Sequence, residues 1–225
     1  MKSLHHTIWT EQFDLMSKPF TYHYSQPKEH RYSIDSIELC WKLGRIFNQR
    51  DSMSEIKLID LCAGCGVMGF ELAHWCRKIE SVCFVEVQSE YEAYFSTNLS
   101  ITGQPPGKFN FYGVNYNSLS QFPHLKNWAD VLVCNPPYFR PESGSLGKSS
   151  FRNRCHYLLD ASFAELSSAI LYCMRPHAEA YLLLKNLDAQ GIDQVAELKS
   201  NLGQAASAEK VGEVRGVDVI GIGKH

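Results

Sequence analysis

The stretch IKLIDLCAGCGVMGF, residues 56–70, joins a strand pattern to a glycine-rich loop and the start of a helix. The strand is rich in apolar residues on both faces, which is typical of a parallel strand buried inside a sheet. The glycines Gly64, Gly66 and Gly69 let the backbone approach a ligand closely, beside the free N–H groups of the helix N-terminus. The stretch therefore predicts an α/β fold with a ligand at the carboxyl end of the first strand.

The same alternation of strand and helix continues along the chain, which predicts a mostly parallel sheet in a three-layer α/β/α sandwich. The last residues are expected to form two strands that meet near Arg215-Gly216, an antiparallel hairpin at the sheet edge that brings the sheet to seven strands. The other strands are expected at 56–63, 81–87, 108–115, 129–135 and 178–185, and helices at 67–78, 89–101, 157–175 and 189–202.

The first fifty residues do not follow this alternation. A helix is expected to begin near SIDSIE, with Ser33 as its cap or Ser36 as the alternative. The aromatic and basic stretch PFTYHYSQPKEHRY before it is irregular, and we expect it to lie over the ligand end of the sheet. We therefore predict a lead-in segment at 1–50 that belongs to the same domain as the catalytic unit at 51–225.

The bulk composition narrows the class of protein. At 225 residues one domain is the default, and the formal net charge of −2 gives no global attraction to nucleic acid. No apolar run approaches the roughly 20 residues of a membrane span, and the N-terminus lacks the apolar region of a signal peptide. Eight cysteines spread over apolar segments indicate reduced thiols, so we expect a cytoplasmic protein without a membrane partner.

Two acidic residues accompany the glycine loop. Glu86 ends the second predicted strand, where a carboxylate can accept both ribose hydroxyls of a nucleoside. Asp60 precedes the loop, where it would repel a pyrophosphate but attract the ammonium group of a methionine moiety. These charges favour S-adenosyl-L-methionine over a nicotinamide dinucleotide, although Gly64-x-Gly66-x-x-Gly69 alone fits either.

Further cofactor contacts are expected around this loop. Asn115 or Asn117, after the third strand, could hydrogen-bond the adenine. The pair Cys62-x-x-Cys65 could instead be redox-active or half of a zinc site, but it lies where the loop needs small residues, and we predict no metal. The predicted cofactor-binding residues are Asp60, Cys62, Gly64, Gly66, Glu86, Val87, Asn115 and Asn135.

The fourth strand ends in Asn135-Pro136-Pro137-Tyr138, where the prolines must stop the strand. The Asn135 side-chain oxygen and the Pro136 carbonyl can each accept an N–H of an exocyclic amine and direct its lone pair outward. Both bonds strengthen as positive charge develops on the nitrogen. Tyr138 can stack on a planar group, so Asn135, Pro136 and Tyr138 are the predicted catalytic residues.

Together DLCAGCG, FVEV and NPPYF resemble, in order and spacing, class I S-adenosylmethionine-dependent methyltransferases that modify amino nitrogens. Within that class, YSIDSIEL is similar to the lead-in helix of the bacterial tRNA (valine) adenine-N6-methyltransferases. The resemblance covers most of residues 20–185 and implies a Rossmann-like methyltransferase sheet. This chain departs from the pattern because it lacks an aspartate after the third strand.

An RNA substrate is predicted, with tRNA favoured and rRNA possible. The loop between Arg140 and Arg154 holds four basic residues against one acidic residue, which suits a phosphate-bearing partner. Two alternatives share the chemistry: a protein glutamine N5-methyltransferase of the release-factor type and an rRNA guanine-N2-methyltransferase. The predicted substrate-binding residues are Pro137, Phe139, Lys148, Arg152 and Arg154, where Phe139 could instead face the core.

Overall fold

The computed structural model describes residue 9 and residues 21–51, 55–143 and 145–225. Within them lie seven strands and six α-helices, which we number in chain order. The strands are β1 (Ile56–Leu61), β2 (Ile79–Val85), β3 (Phe109–Tyr112), β4 (Ala129–Cys134), β5 (Met174–Leu184), β6 (Ala206–Val214) and β7 (Val217–Lys224). The helices are α1 (Ile34–Asn48), α2 (Val67–Trp75), α3 (Tyr91–Thr102), α4 (Ser150–His156), α5 (Phe163–Cys173) and α6 (Gln194–Leu202).

The seven strands form one sheet in the order β3-β2-β1-β4-β5-β7-β6. Neighbouring strands from β3 to β5 pair in parallel, whereas β7 is antiparallel to both β5 and β6. The β6–β7 turn lies at Arg215-Gly216, where φ is 49° and 77°. This confirms the predicted fold class and its C-terminal hairpin.

Two apolar cores cover the faces of the sheet. Leu58 of β1 packs in the core that contains α1, α2 and α3, whereas its neighbour Ile59 packs in the core that contains α5 and α6. Alternate side chains of a strand point to opposite faces, so β1 is buried from both sides. The three-layer arrangement follows.

Several predicted boundaries were wrong. The helix expected at 157–175 begins only at α5, because Ser162 and Glu165 form a reciprocal capping box. Residues 150–156 form the separate helix α4, and Tyr157 bridges to Phe139 instead of continuing it. The helix expected at 189–202 begins at α6, where the Asp193 side chain accepts the Ala196 N–H.

The lead-in segment is hydrogen-bonded to α2 and α3. Glu71 of α2 is fully buried and accepts hydrogen bonds from Thr21 Oγ1 at 2.7 Å, Tyr24 OH at 2.8 Å and Trp75 Nε1 at 3.0 Å. Burial raises the pKa of Glu71. Helix α1 follows with Ser33 at its N-cap position. The division at 1–50 and 51–225 stays a prediction, and 1–8 and 10–20 lie outside the described residues.

No helix in the described residues is long and apolar enough to cross a membrane. Within the same ranges, no group of three or more His, Cys, Asp or Glu side chains is arranged to hold a metal ion.

Candidate active site

The carboxyl ends of three central strands lie side by side. Leu61 of β1 is the register partner of Val85 in β2 and of Cys134 in β4. The next residue of each strand is Cys62, Glu86 or Asn135, so these three meet at one edge of the sheet. A cavity of about 450 Å³ opens there, a volume within the usual range for small-molecule sites.

Most of the predicted site residues line this cavity. Those from the cofactor set are Asp60, Cys62, Gly64, Glu86, Val87 and Asn135. Those from the catalytic and substrate sets are Pro136, Pro137, Tyr138, Arg152 and Arg154. The remaining four predicted residues, Gly66, Asn115, Phe139 and Lys148, lie outside the lining.

The glycine loop needs its glycines for two different reasons. Gly64, with φ at 54°, lies on the cavity wall in a conformation that L side chains rarely adopt. Gly66, with φ at 87°, faces the core, and a Cβ there would lie 2.7 Å from Phe70 Cε2. Gly66 therefore permits close packing under the loop, while Gly64 brings backbone to the cavity.

Asp60 is almost fully buried and its Oδ2 accepts the Gly69 N–H at 2.8 Å. Burial is the main reason that the pKa of this carboxyl lies well above its usual range, and the Glu86 charge adds to it. A cationic group in the cavity would favour the ionised form of Asp60. This environment suits the predicted contact with a methionine ammonium.

Glu86 holds the loops around it through backbone bonds. Its Oε2 accepts the Gly64 N–H at 2.8 Å and its Oε1 accepts the Gln88 N–H at 2.9 Å. Burial raises the pKa of Glu86, while these bonds and the Arg154 charge act in the opposite direction. The carboxylate is fixed on the cavity wall, and its contact with ribose stays a prediction.

The Asn135 amide is held at both ends. Its Nδ2 donates to Ser36 Oγ at 3.0 Å, and its Oδ1 accepts the Tyr138 hydroxyl at 2.5 Å. Burial raises the pKa of Tyr138, and the nearby Asp35 charge adds to the shift, so the phenol stays protonated and donates. The cavity therefore joins an acceptor amide, an aromatic ring and two carboxylates.

Comparisons with known proteins found similar families, chains and structures. The family described as "Conserved hypothetical protein 95" matches residues 44–148. A tRNA1(Val) (adenine(37)-N6)-methyltransferase of Shewanella putrefaciens is 28% identical over 130 residues, which are 57% of this chain and 52% of that protein. Its counterpart in Shewanella sp. strain W3-18-1 matches to the same extent, so the chain spans about half the length of these curated relatives.

Solved structures give the fold. TrmN from Thermus thermophilus matches with a TM-score of 0.57 and 18% identity, over 84% of this chain and 49% of that chain. A putative RNA methyltransferase from Pyrococcus horikoshii matches with a TM-score of 0.56 and 14% identity, over 99% of this chain and 97% of that chain. This chain has the class I methyltransferase fold.

In this class I methyltransferase fold, the segment after β3 does not present the expected amides. Asn115 Nδ2 donates to the Asp160 carbonyl at 2.8 Å and its Oδ1 accepts the Asn117 N–H at 3.2 Å. Asn117 is exposed and its side chain donates to Glu165 Oε1 at 3.2 Å. The cavity is lined by Val114 and Tyr116 from this segment and not by Asn115, whose contact with the cofactor adenine stays a prediction.

The basic residues after the Asn135 motif differ in exposure and in distance from the cavity lining. Arg152 is exposed at the cavity, whereas Arg154 Nε bonds both carboxylate oxygens of Asp160, at 3.0 and 2.9 Å. Lys148 is exposed away from the lining, and Arg140 pairs with Glu197. Arg152 alone of the predicted basic set combines exposure with a position on the cavity.

Phe139 packs against Tyr138 and joins the two ends of the loop that follows it. Its backbone exchanges hydrogen bonds with the far end of the loop: Phe139 N–H donates to His156 O at 2.9 Å, and Leu158 N–H donates to Phe139 O at 2.8 Å. Its ring lies edge-on to Tyr138 with centroids 6.4 Å apart. The loop of residues 140–156 is thus closed at its base, which brings α4 to the cavity.

Sequence reasoning missed the residues that arrive from distant segments. The lead-in contributes Glu29 to Ser33 to the cavity lining, so this part of the segment lies at the ligand end of the sheet, whereas residues 19–20 lie outside the described residues. His30 lies edge-on to His156 with ring centroids 5.0 Å apart, and Lys185 Nζ lies 5.4 Å from the Tyr138 ring centroid. No local pattern marks these residues, because their positions depend on tertiary contacts.

The two cysteines of the loop lie in different environments. Cys65 is buried, and burial raises the pKa of its thiol to about 12, which disfavours its thiolate form. Cys62 lies on the cavity wall with φ at 60°. All eight cysteines are free thiols.

Proposed function

We propose that this protein is an S-adenosylmethionine-dependent methyltransferase that acts on an exocyclic amino nitrogen, N6 of adenine in RNA, with tRNA as the favoured substrate. One observation carries the proposal: the acceptor amide of Asn135 and the carboxylates of Asp60 and Glu86 line the same cavity. Methyl transfer to an amino nitrogen needs a cofactor site next to a hydrogen-bond acceptor for the amine. The residues of this cavity suit both.

The residues present fit the cofactor. Backbone with positive φ at Gly64 allows close approach, Asp60 suits an ammonium group and Glu86 suits a ribose diol. When bound, S-adenosylmethionine supplies a methyl group on a positively charged sulfur. The chain itself supplies orientation, hydrogen-bond acceptors and a partly enclosed cavity.

The amine requires help because its lone pair is delocalised into the base. Asn135 Oδ1 and the Pro136 carbonyl would each accept one N–H, which holds the lone pair towards the methyl group. These bonds strengthen as the nitrogen gains positive charge, and a hydrogen bond to a charged group contributes about 1.5–3 kcal/mol. The Tyr138 hydroxyl now donates to Asn135 Oδ1, so a substrate N–H would replace or share that bond.

The RNA substrate is supported by charge and by similarity. Arg152 and Lys185 line the cavity, and Lys185 is exposed beside the Tyr138 ring on which a base would stack. The two curated relatives are tRNA1(Val) (adenine(37)-N6)-methyltransferases, and this chain matches about half the length of each. We place the activity in the cytoplasm, where eight free thiols would persist.

The test is transfer of a labelled methyl group from S-adenosylmethionine to unmodified tRNA, rRNA, DNA and a protein extract, followed by nucleoside and amino-acid analysis. We expect label in N6-methyladenosine of the tRNA fraction. Asn135→Ala serves as the blank, and Asn201→Ala is the matched control because that residue lies near the C-terminal end of α6 and outside the cavity lining. Label in methylglutamine or in N2-methylguanosine would replace the adenine proposal with one of the two alternatives.

A further inference from the structure

We infer that Ser36, in the first turn of α1, is a positioning residue that holds the side-chain amide of Asn135 in place at the cavity. This inference rests on the proposed function. Asn135 Nδ2 donates to Ser36 Oγ at 3.0 Å across 99 residues of sequence. The opposite end of the amide, Oδ1, faces the Tyr138 hydroxyl.

The position of this amide matters because the Asn135 side-chain oxygen must lie within hydrogen-bonding distance of the incoming amine. A free asparagine side chain rotates, and the bond from Nδ2 to Ser36 Oγ restrains that rotation. The Tyr138 hydroxyl holds the other end, so the amide is in place before an amine arrives. Ser36 therefore acts on the reaction through Asn135.

Ser36 is itself held firmly. Its side chain is almost fully buried, and its N–H donates to Asp35 Oδ1 at 2.7 Å, a carboxylate that also accepts the Ser33 hydroxyl. Helix α1 is anchored on α2, where Cys40 Sγ donates to Met68 O at 3.3 Å. A hydroxyl on such a rigid support can fix a partner side chain, whereas a mobile one cannot.

The kinetic test is Ser36→Ala. This variant should fold, because alanine has a higher helix propensity than serine. We expect kcat for RNA methylation to fall between about twofold and tenfold, the loss of one neutral hydrogen bond, while the cofactor Kd is unchanged. Ser36→Thr, which keeps a hydroxyl, should recover most of the rate. Ser167→Ala is the matched control, because this buried helical serine also accepts an asparagine Nδ2, that of Asn201 at 3.4 Å, far from the cavity.

A second test separates positioning of Asn135 from general structural support. Asn135→Ala removes the side chain that Ser36 holds, so the residual activity of this variant should not depend on Ser36. In a double-mutant cycle we expect Ser36→Ala to lower kcat in the native background and not in the Asn135→Ala background. Equal losses in both backgrounds would overturn the positioning role.

A third readout does not need activity. The side-chain amide protons of Asn135, assigned by their absence in Asn135→Ala, should shift upfield in the NMR spectrum of Ser36→Ala and stay in place in Ser167→Ala. Unmoved resonances would overturn the inference even if the enzyme is active. Shifted resonances in a protein that methylates no RNA would instead refute the proposed function alone.

Discussion

The two walls of the cavity are built differently. The carboxylate wall, Asp60 and Glu86, is bonded to backbone N–H groups of the loops beside it. The amide wall, Asn135 with Tyr138, is bonded to side chains, one of them Ser36 from the lead-in helix. Backbone bonds fix the carboxylates wherever the strand ends are in register, whereas the amide depends on a contact between distant segments. Changes to the two walls should therefore have separable effects.

The largest effect should come from the amide wall. Asn135→Ala removes the side-chain acceptor and should lower kcat about 100- to 1,000-fold, the range seen when one preorganised transition-state hydrogen bond is lost. The cofactor Kd, measured by titration calorimetry, should stay within a factor of two, because the carboxylate wall is untouched. Asn201→Ala should change neither quantity. An equal loss of cofactor affinity would show that the two walls are not separable.

The glycine loop, which is hydrogen-bonded to the carboxylate wall, should respond through stability. In Gly66→Ala the new Cβ would meet Phe70, whose ring is packed against Phe84 and Phe95, and φ is 87°. Overpacking of this kind costs about 1–3 kcal/mol in the free energy of unfolding, which urea titration measures. Gly113→Ala is the control, because its nearest contact would be an ordinary 3.7 Å to Phe111. Equal stability of the two variants would contradict the packing role of Gly66.

The difference between the walls also explains what the sequence could predict. Asp60, Glu86 and Asn135 are each at the end of a strand, and strand ends in a parallel sheet meet at one edge, so local patterns were enough. The hairpin at Arg215-Gly216 could likewise be predicted from residues adjacent in sequence. The partner of Asn135, Ser36, was weighed only as a helix cap, because nothing near it indicates a contact with residue 135.

Two predicted ligand contacts share a partner that the sequence does not indicate. Asn115 follows β3 as expected, but its side-chain amide donates to the carbonyl of Asp160, a residue of the segment between α4 and α5. Arg154 lines the cavity, and its guanidinium pairs with the carboxylate of the same residue. Both ligand contacts stay predictions, and a ligand would have to compete with Asp160 for each. This competition depends on the folded arrangement of the loop.

A smaller effect should distinguish the two arginines of that loop. Arg152→Ala should raise the KM for RNA several-fold, because Arg152 is exposed at the cavity. The slope of log affinity against log salt concentration should fall by about one, the value for one lost phosphate contact. Arg154→Ala should lower thermal stability more than Arg152→Ala, because it leaves Asp160 without its ion pair. Filter binding at several salt concentrations and thermal melting measure the two effects. Equal changes in KM would show that the ion pair opens when RNA binds.

The smallest effect concerns the lead-in segment beside the amide wall. Burial, with the nearby His156 and Arg152, lowers the pKa of His30 to about 4, from about 6.5 in an unfolded chain. Between these values the unfolded chain binds the proton more readily, so this histidine makes the unfolding free energy rise with pH and fall on acidification. The raised pKa of Asp60 and Glu86 acts in the opposite direction, since their contribution falls as pH rises.

The difference in unfolding free energy between His30→Gln and the native chain, followed over pH, therefore reports the contribution of this histidine alone. Urea titrations at pH 4.5, 5.5, 6.5 and 7.5 should show that the variant loses less stability on acidification, whereas His225→Gln, at an exposed position, should follow the native curve. Parallel curves for His30→Gln would mean that the imidazole is solvated and that the lead-in does not pack against α4. A flattened curve, together with a kcat response in Ser36→Ala, would establish two independent contacts of the first fifty residues at the cavity, His30 with His156 and Ser36 with Asn135.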